Sequence, residues 1–506
     1  MKRIFLVVAL AIVGLFVYTV SLAQYISLSF LFDLLPNYWV FYVIIVFLWL
    51  LALVIALRVV LKPTFAYKKT YWLLIILLNP ILGILLYYIF ARDFVTRKFY
   101  KTRPLIAHRA FLGLEETTSV DFDRSAYGDI FRFIREVTGR AIYENDTHVE
   151  ILNNGDQFFP RLIEELKRAK SYIFMEFYII KTDEIGRQVL DVLKEKAEAG
   201  LDVHLIYDHF GSNRHLDRKY LSLLKKSGVK IGVFDPQTLS VFNSNVNFRN
   251  HRKAIVIDGN SGFVGGMNLA DEYNHKSRKF GFWRDTHVAI SGNGVTAIQN
   301  IFVKDWYYIT GEVLDMPMDK TVCDFNGLFS VIESGPDFED GLIRDCYLRM
   351  IQTAKKSIRI VTPYLIIEPE LLSMLQIASK SGVEISLLVP GKSDYAVVGY
   401  ATRSYYEPLL RMGARIYEYK NHFVHSKILL IDDALASVGT VNFDPRSFHL
   451  NFELTAIFEN PAVKLLADSF QRDLMVSEEI VLEKWEKRGI FRKLIQGLFN
   501  LFSPIF

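Results

Sequence analysis

One eight-residue pattern occurs twice in this chain of 506 residues, and it constrains the fold more than any other feature. The copies are His251–Asp258 and His425–Asp432, each reading His-x-Lys-x4-Asp. In both copies a glycine follows the aspartate by seven residues, and an asparagine follows that glycine by three, which gives Gly265 with Asn268 and Gly439 with Asn442. Matched motifs with matched tails indicate an internal duplication.

The sequence around the two motifs repeats as well. Residues 171–179 align with 357–365 at an offset of 186, residues 203–207 align with 385–389 at 182, and the motifs align at 174. Helical patterns at 157–168 and 185–199 alternate with β-rich runs. This order predicts an α/β fold with two halves, residues 110–320 and 321–480, related by a pseudo-twofold axis. Each half should hold a mixed or mostly parallel sheet flanked by helices.

Each motif brings together an imidazole, an ammonium group and an amide. Residues i and i+2 of a strand share a face, so His251 and Lys253 should point the same way, as should His425 and Lys427. One imidazole can attack phosphorus while the other protonates the leaving alkoxide and later deprotonates the acceptor. We assign the nucleophile to His251. The two lysines can stabilise the transition state together with Asn268 and Asn442.

An imidazole that acts as a nucleophile needs an acceptor on its other nitrogen, and Asp285 and Glu453 are the candidates. Asp258 and Asp432 complete the predicted catalytic set. They end their strands, however, and we interpret them as structural residues that bind turn amides or a neighbouring cation. The two cysteines and the histidines show no ligand spacing, so the sequence predicts no metal and no cofactor.

Three apolar stretches open the chain, at residues 4–22, 38–60 and 71–91. Each approaches the ~20 residues of a spanning helix, which predicts two or three transmembrane helices within residues 1–95. The first stretch could instead be a cleaved signal peptide. Asn79-Pro80 in the third predicts a kink or a re-entrant turn. The side of the membrane that the body faces depends on this choice.

Charge is distributed unevenly along the chain. Residues 1–110 carry a net charge of +10 and the remainder carries −6. This suits an enzyme at an anionic bilayer and disfavours a nucleic-acid partner, which requires a basic body. Residues 481–506 alternate basic and apolar residues and predict an amphipathic helix, which could lie in the membrane interface or pack on the body.

The paired motifs resemble those of the phospholipase D superfamily, and the details are similar to its bacterial cardiolipin synthases. The resembling stretches are residues 72–91, 250–273, 283–287, 362–364, 388–394, 403–406 and 425–453. The resemblance implies a transferase that joins two phosphatidylglycerols into cardiolipin and glycerol through a phosphohistidine. It also implies a multi-pass protein of the bacterial cell membrane, with those lipids as partners.

The resemblance also implies roles for individual residues. The histidines and lysines of both motifs, both asparagines, Asp285 and Glu453 match the family's functional positions. Gly266 and Thr440 stand where many relatives have serine, which implies that they bind the substrate phosphate, Gly266 less directly. Two alternatives remain: a hydrolytic phospholipase D or membrane-tethered nuclease, and a non-catalytic scaffold.

Overall fold

The computed structural model describes residues 38–62, 66–90, 120–235, 248–276, 279, 281–314, 327–338, 341–420 and 422–501. The chain divides into two compact units, residues 1–98 and 99–506. The first apolar stretch, residues 4–22, lies outside the described residues.

The first unit contains helices α1 (Tyr38–Leu61), α2 (Ala66–Leu78) and α3 (Pro80–Phe90). The rings of Trp72 and Tyr87 meet edge-on with their centroids 5.7 Å apart, although the residues are 15 positions apart in sequence. A Cβ on Gly83 would lie 2.5 Å from the carbonyl oxygen of Ile75. The third apolar stretch therefore turns back at Asn79-Pro80 as a helical hairpin. None of the helices among the described residues is long and apolar enough to cross a membrane.

The strands of the second unit alternate with helices along the chain. The described strands are β1 Tyr143–Glu144, β2 Thr147–Asn153, β3 Tyr172–Phe177, β4 Asp202–Asp208, β5 Lys230–Phe234, β6 Ala254–Ile257, β7 Ser261–Gly265, β8 Trp283–Arg284, β9 Thr286–Gly292, β10 Leu328–Ser334, β11 Ser357–Val361, β12 Glu384–Pro390, β13 Arg415–Tyr419, β14 Phe423–Val424, β15 Ile428–Ile431, β16 Leu435–Gly439, β17 Glu453–Glu459 and β18 Ser477–Glu479.

The described helices of this unit confirm the predicted helices at 157–168 and 185–199, which correspond to α5 and α6. They are α4 Gly128–Thr138, α5 Asn154–Arg168, α6 Glu184–Glu198, α7 His209–Ser212, α8 Arg218–Lys226, α9 Val295–Thr310, α10 Leu342–Thr353, α11 Pro369–Lys380, α12 Ala396–Ser404, α13 Tyr406–Arg411, α14 Pro445–His449, α15 Ala462–Met475, α16 Leu482–Glu486 and α17 Ile490–Leu501.

The duplication is visible in the order of the strands. The first sheet runs β2-β9-β7-β6-β3-β4-β5, and the second repeats it as β10-β17-β16-β15-β11-β12-β13, with β1 and β18 at its edges. In both sheets two of these described pairings are parallel and the other four are antiparallel. The prediction of a mixed sheet is therefore confirmed, and the alternative prediction of a mostly parallel sheet is wrong. Each motif strand forms a hairpin with the next strand, and a tight hairpin is antiparallel.

The two sheets share one apolar core, to which Val264 and Val288 contribute from the first and Val438 and Leu454 from the second. Helices cover the outer faces, where separate cores form. This shared core holds the two halves in a fixed relation, which a site composed of both halves requires.

Residues 122–144 do not follow the predicted boundary between the halves. Phe131 and Ile134 pack in the core beneath the second sheet, and β1 pairs with β10 of that sheet. Assigning all of 110–320 to the first half is therefore wrong for this segment. Its strand covers an edge of the second sheet that would otherwise be unpaired.

The last helix, α17, packs against α12. The rings of Phe499 and Tyr400 stack with centroids 5.7 Å apart, and Asn500 Nδ2 donates a hydrogen bond of 2.8 Å to Ser404 Oγ. One face of the predicted amphipathic helix is therefore bound to the body.

Candidate active site

The two motifs lie in extended segments that link the halves. His251–Lys253 and His425–Lys427 come immediately before β6 and β15, not inside the strands as predicted. The backbone N–H of His251 donates to the carbonyl oxygen of Phe452 at 2.9 Å. The backbone N–H of His425 donates to the carbonyl oxygen of Arg284 at 2.7 Å. Each motif has left its own sheet to bond with a segment of the other half.

This crossing brings a carboxylate to each imidazole. His251 Nδ1 lies 3.0 Å from both carboxylate oxygens of Glu453, and His425 Nδ1 lies 2.7 Å from Oδ2 of Asp285. Both acids are fully buried. The predicted contacts are present, and in each pair the acid comes from the half that does not supply the histidine.

The two lysines lie behind the imidazoles and are almost completely buried. Lys253 Nζ donates to the carbonyl of His251 at 2.6 Å. Lys427 Nζ lies 2.8 Å from Nδ1 of His425 and also contacts its carbonyl oxygen. Their positive charge therefore sits beneath the two rings.

Burial controls the ionisation of this centre. It lowers the pKa of His251 to about 4 against the opposing effect of Glu453, and lowers that of His425 to about 3, assisted by Lys427. Both imidazoles are therefore neutral near pH 7. Burial also lowers the pKa of Lys253 to about 7 and that of Lys427 to about 8.

A cavity of about 770 Å³ opens above the two imidazoles. His251, His425, Asn268 and Asn442 line it together. Asn268 is fixed, because its Oδ1 accepts from the backbone N–H of Ile179 at 3.0 Å and its Nδ2 donates to a tyrosine hydroxyl at 2.6 Å. The side-chain oxygen of Asn442 has no hydrogen-bond partner among the described residues. A phosphate entering the cavity would meet both imidazoles and both amides.

Asp258 and Asp432 are not among the residues that line the cavity. The carboxylate of Asp258 accepts from the backbone N–H groups of residues 170–172 at 2.7–2.9 Å. That of Asp432 accepts from residues 355–357 at 2.6–3.2 Å. Each aspartate joins the turn after a motif strand to the start of the neighbouring strand, as the structural interpretation expects.

Gly266 and Thr440 are not among the residues that line the cavity, so the phosphate-binding role expected for them stays a prediction. The buried hydroxyl of Thr440 donates to the carboxylate of Glu453. A Cβ on Gly266 would lie 2.2 Å from Oδ1 of Asp285. The two equivalent positions thus serve the two acids, one by a hydrogen bond and the other by leaving space.

Sequence reasoning missed several residues of the site. Arg249 and Arg446 line the cavity, and the first could have been found because it precedes His251 by two residues in an extended segment. Arg252 Nε donates to the carbonyl of Glu453 at 3.2 Å, and Arg284 Nη1 donates to that of Asp285 at 2.6 Å. These last two arginines hold the backbone of the acids.

Aromatic residues form part of the cavity wall. Tyr178 and Tyr364 line the cavity. Tyr405 and Tyr406 do not, and Tyr406 is buried with its hydroxyl on Glu418. Among the described residues, no group of His, Cys, Asp or Glu side chains is arranged to hold a metal ion.

Comparison with known proteins gives a consistent result. The family described as "Cardiolipin synthase, PLD-like domain" matches residues 162–306 and 347–474, which contain the two motifs. The "Phospholipase D-nuclease N-terminal" family matches residues 47–92. Cardiolipin synthase 2 of Bacillus anthracis is 37% identical over 446 residues, covering 87% of each chain. The chain belongs to the cardiolipin synthases of the phospholipase D superfamily.

A second relative agrees with this assignment, and a solved structure shares the fold. The major cardiolipin synthase of Bacillus subtilis is 36% identical over 453 residues, covering 86% of this chain and 92% of its own. The crystal structure of a phosphatidylserine synthase from Haemophilus influenzae has the same fold, with a TM-score of 0.57 at 15% identity, covering 74% of this chain and all of its own. As a member of the cardiolipin synthases, the chain is a phosphatidyltransferase.

Proposed function

We propose that this cardiolipin synthase transfers the phosphatidyl group of one phosphatidylglycerol to a second through a covalent phosphohistidine. The observation that carries the proposal is the pair of neutral imidazoles on one cavity wall, each held through Nδ1 by a buried acid. A ring held in this way presents Nε2 to the cavity as a nucleophile or base.

In the first step Nε2 of His251 attacks phosphorus, and the bond from phosphorus to the glycerol oxygen breaks. His425, which takes up a proton from solvent on Nε2 as the phosphodiester anion binds, gives that proton to the departing alkoxide, which leaves as glycerol. In the second step His425 removes the proton from the headgroup hydroxyl of another phosphatidylglycerol. That oxygen attacks phosphorus, the phosphorus–nitrogen bond breaks, and cardiolipin is formed.

The buried lysines account for the timing of protonation. In the empty site, burial and the charge of Lys427 keep His425 neutral. A phosphodiester anion above Lys253 and Lys427 would offset their charge and make imidazolium formation easier. The same cations, with Asn268 and Asn442, then stabilise the negative charge of the transition state.

The nucleophile is assigned to His251 because its side chain is the more exposed of the two, 13% against 9%. Rapid acid quenching with labelled phosphatidylglycerol, followed by peptide mapping, tests the assignment. His425→Ala should accumulate the labelled histidine peptide if the first step persists, whereas His251→Ala should give none. A label on His425 in the wild-type enzyme would reverse the roles.

The acceptor decides between transfer and hydrolysis. Water is abundant, so selectivity requires an oriented headgroup hydroxyl, whose effective molarity can reach ~10⁵ M or more. Purified enzyme with labelled phosphatidylglycerol at membrane-like density should give cardiolipin and glycerol, and excess glycerol should reverse the reaction. Phosphatidic acid as the main product would make the enzyme a phospholipase and refute the transfer.

The apolar N-terminal unit supports attachment of the enzyme to the bacterial cell membrane as a multi-pass protein. If α2 and α3 enter and leave on one face, Lys69 and Phe90, the last residue of α3, lie on the same side. Labelling of single cysteines at these positions in intact cells with an impermeant reagent tests this. Labelling of only one position would instead indicate a full crossing.

A further inference from the structure

The outer face of α17 is strongly apolar and open. Its inner face is covered, since Gln496 is buried and Phe499 stacks on Tyr400. The outer face exposes Phe491 to 78% and Leu501 to 63%. Its other exposed apolar residues are Ile490, Leu494, Ile495 and Leu498. A continuous exposed patch of this kind marks an interaction surface.

The body fixes the direction in which this face points. Arg488, just before α17, donates from Nε to Gln496 Oε1 at 2.8 Å and from Nη2 to Glu407 Oε2 at 3.1 Å. Its guanidinium group lies 4.8 Å from the ring of Trp485. The helix is therefore held by polar and aromatic contacts at its beginning and by Asn500 near its end.

The helix that α17 packs on also reaches the catalytic cavity. Val398 of α12 and Tyr395 immediately before it line that cavity. Tyr395 is 66% exposed, and Tyr400, which stacks on Phe499, is 37% exposed. Apolar and aromatic side chains thus continue from the rim of the cavity to the exposed face of α17.

The charge of the same segment identifies the occupant. Lys487, Arg492 and Lys493 are exposed, and residues 487–501 contain no acidic residue. A helix with an apolar face and exposed cations binds the interface of an anionic bilayer. The geometry points to α17 and the start of α12 as a docking face that seats the mouth of the cavity on an anionic lipid surface.

This inference deepens the proposed function, because a substrate held in the bilayer must enter the cavity from that surface. The docking face would place the cavity rim at headgroup level. The apolar face of α17 would then lie about 5–10 Å into the boundary between headgroups and acyl chains.

Spin labels on full-length protein in phosphatidylglycerol–phosphatidylcholine vesicles test the contact directly. Phe491→Cys and Leu498→Cys should carry labels that oxygen reaches and a water-soluble nickel chelate does not. Ile377→Cys, on α11 and 59% exposed, should be reached by the chelate. Labels at 491 and 498 that the chelate reaches, or that are shielded from both reagents by a second copy or the N-terminal helices, would overturn the inference.

Kinetics provide a second readout. Leu494→Glu/Leu498→Glu should reduce turnover of vesicle phosphatidylglycerol at least tenfold and leave turnover of monomeric short-chain phosphatidylglycerol unchanged. Ile377→Glu/Leu465→Glu, at residues exposed to 59% and 56% on other helices, should affect neither. Equal losses on both substrates, or none on vesicles, would refute docking. The spin-label measurement does not depend on turnover, so it still tests the docking face if the wild-type enzyme fails to make cardiolipin.

Discussion

Glu453 and Asp285 are the residues through which each half of the enzyme orients the histidine of the other. Glu453→Gln should lower kcat by about 10²–10⁴-fold, because an amide neither fixes the tautomer of His251 nor stabilises its imidazolium. Asp285→Asn should act similarly on His425. Steady-state kcat at saturating lipid measures the effect, with circular dichroism to verify the fold. Glu164→Gln, an exposed acid, is the control, and a Glu453→Gln loss below threefold would contradict the role.

The buried lysines predict an alkaline limit to activity. Lys253 and Lys427 have pKa values lowered by burial to about 7 and about 8, so each is charged below its value and becomes neutral above it. In the profile of kcat/KM, activity should fall as pH rises through about 7 to 8. Lys253→Arg should move that fall to higher pH. The pKa of the His251 nucleophile, lowered to about 4, predicts no acidic fall above pH 5, and a profile flat to pH 9 would disprove the role of the lysines.

At the scale of elements, the aspartate after each motif strand joins two strands. Burial raises the pKa of Asp432, but the hydrogen bonds from the N–H groups of Ser357, Lys355 and Lys356 together lower it by more. The net pKa therefore lies below the usual value. Its contribution to stability is therefore present above the ordinary pKa of ~3.9 and is lost as pH falls through the lowered value.

Asp432→Asn should reduce the free energy of unfolding by about 1–3 kcal/mol at pH 7, because charged hydrogen bonds are lost. The difference from wild type should disappear as pH falls through the lowered pKa of Asp432. Urea denaturation at several pH values measures it. The folded variant should keep kcat within about threefold of wild type, and a kcat loss without a stability loss would restore a catalytic role.

The helical hairpin of the N-terminal unit depends on one close contact. Gly83→Leu should separate α2 from α3, since even a Cβ there would lie 2.5 Å from the carbonyl oxygen of Ile75. A Trp72→Cys/Tyr87→Cys pair should form a disulfide readily in the otherwise native chain and poorly with Gly83→Leu added. Leu82→Ala, at an exposed neighbour, should leave cross-linking unchanged. Efficient cross-linking with Gly83→Leu would exclude this contact as the determinant.

At the scale of the whole molecule, residues 122–144 precede the first half in the chain but pack against the second half. They bury Phe131, Ile134 and Ile142 under the second sheet and pair β1 with β10. Burying each such side chain contributes about 1.5–3 kcal/mol, so the segment is worth a large share of the 5–15 kcal/mol that stabilises a domain.

Truncation tests this dependence. A chain beginning at residue 120 should give a folded body with a cooperative thermal transition. A chain beginning at residue 145 should be unfolded or aggregated. Calorimetry and near-ultraviolet circular dichroism distinguish the two, and equal melting temperatures would show that the segment is dispensable.

The sequence by itself determined the duplication, and it predicted the paired motifs that the structure brings to one cavity and the aspartates that bind backbone amides. It could do so because strand alternation, turn residues and repeated spacing are local properties: the buried run after each lysine, the turn at Asp258 and the return to Asn268 all lie within 18 residues of His251. The family resemblance extended this to the reaction.

Only the tertiary structure decided which acid serves which histidine, because His251 and Glu453 are 202 residues apart and His425 and Asp285 are 140 apart. It also placed the hydroxyl of Thr440 on Glu453, since a hydroxyl donates to the acceptor that packing brings nearest. Such pairings arise when two sheets bury their apolar faces against each other. The burial that lowers the pKa values of the imidazoles and lysines is a consequence of the same docking. It therefore cannot be predicted from any single segment of the sequence.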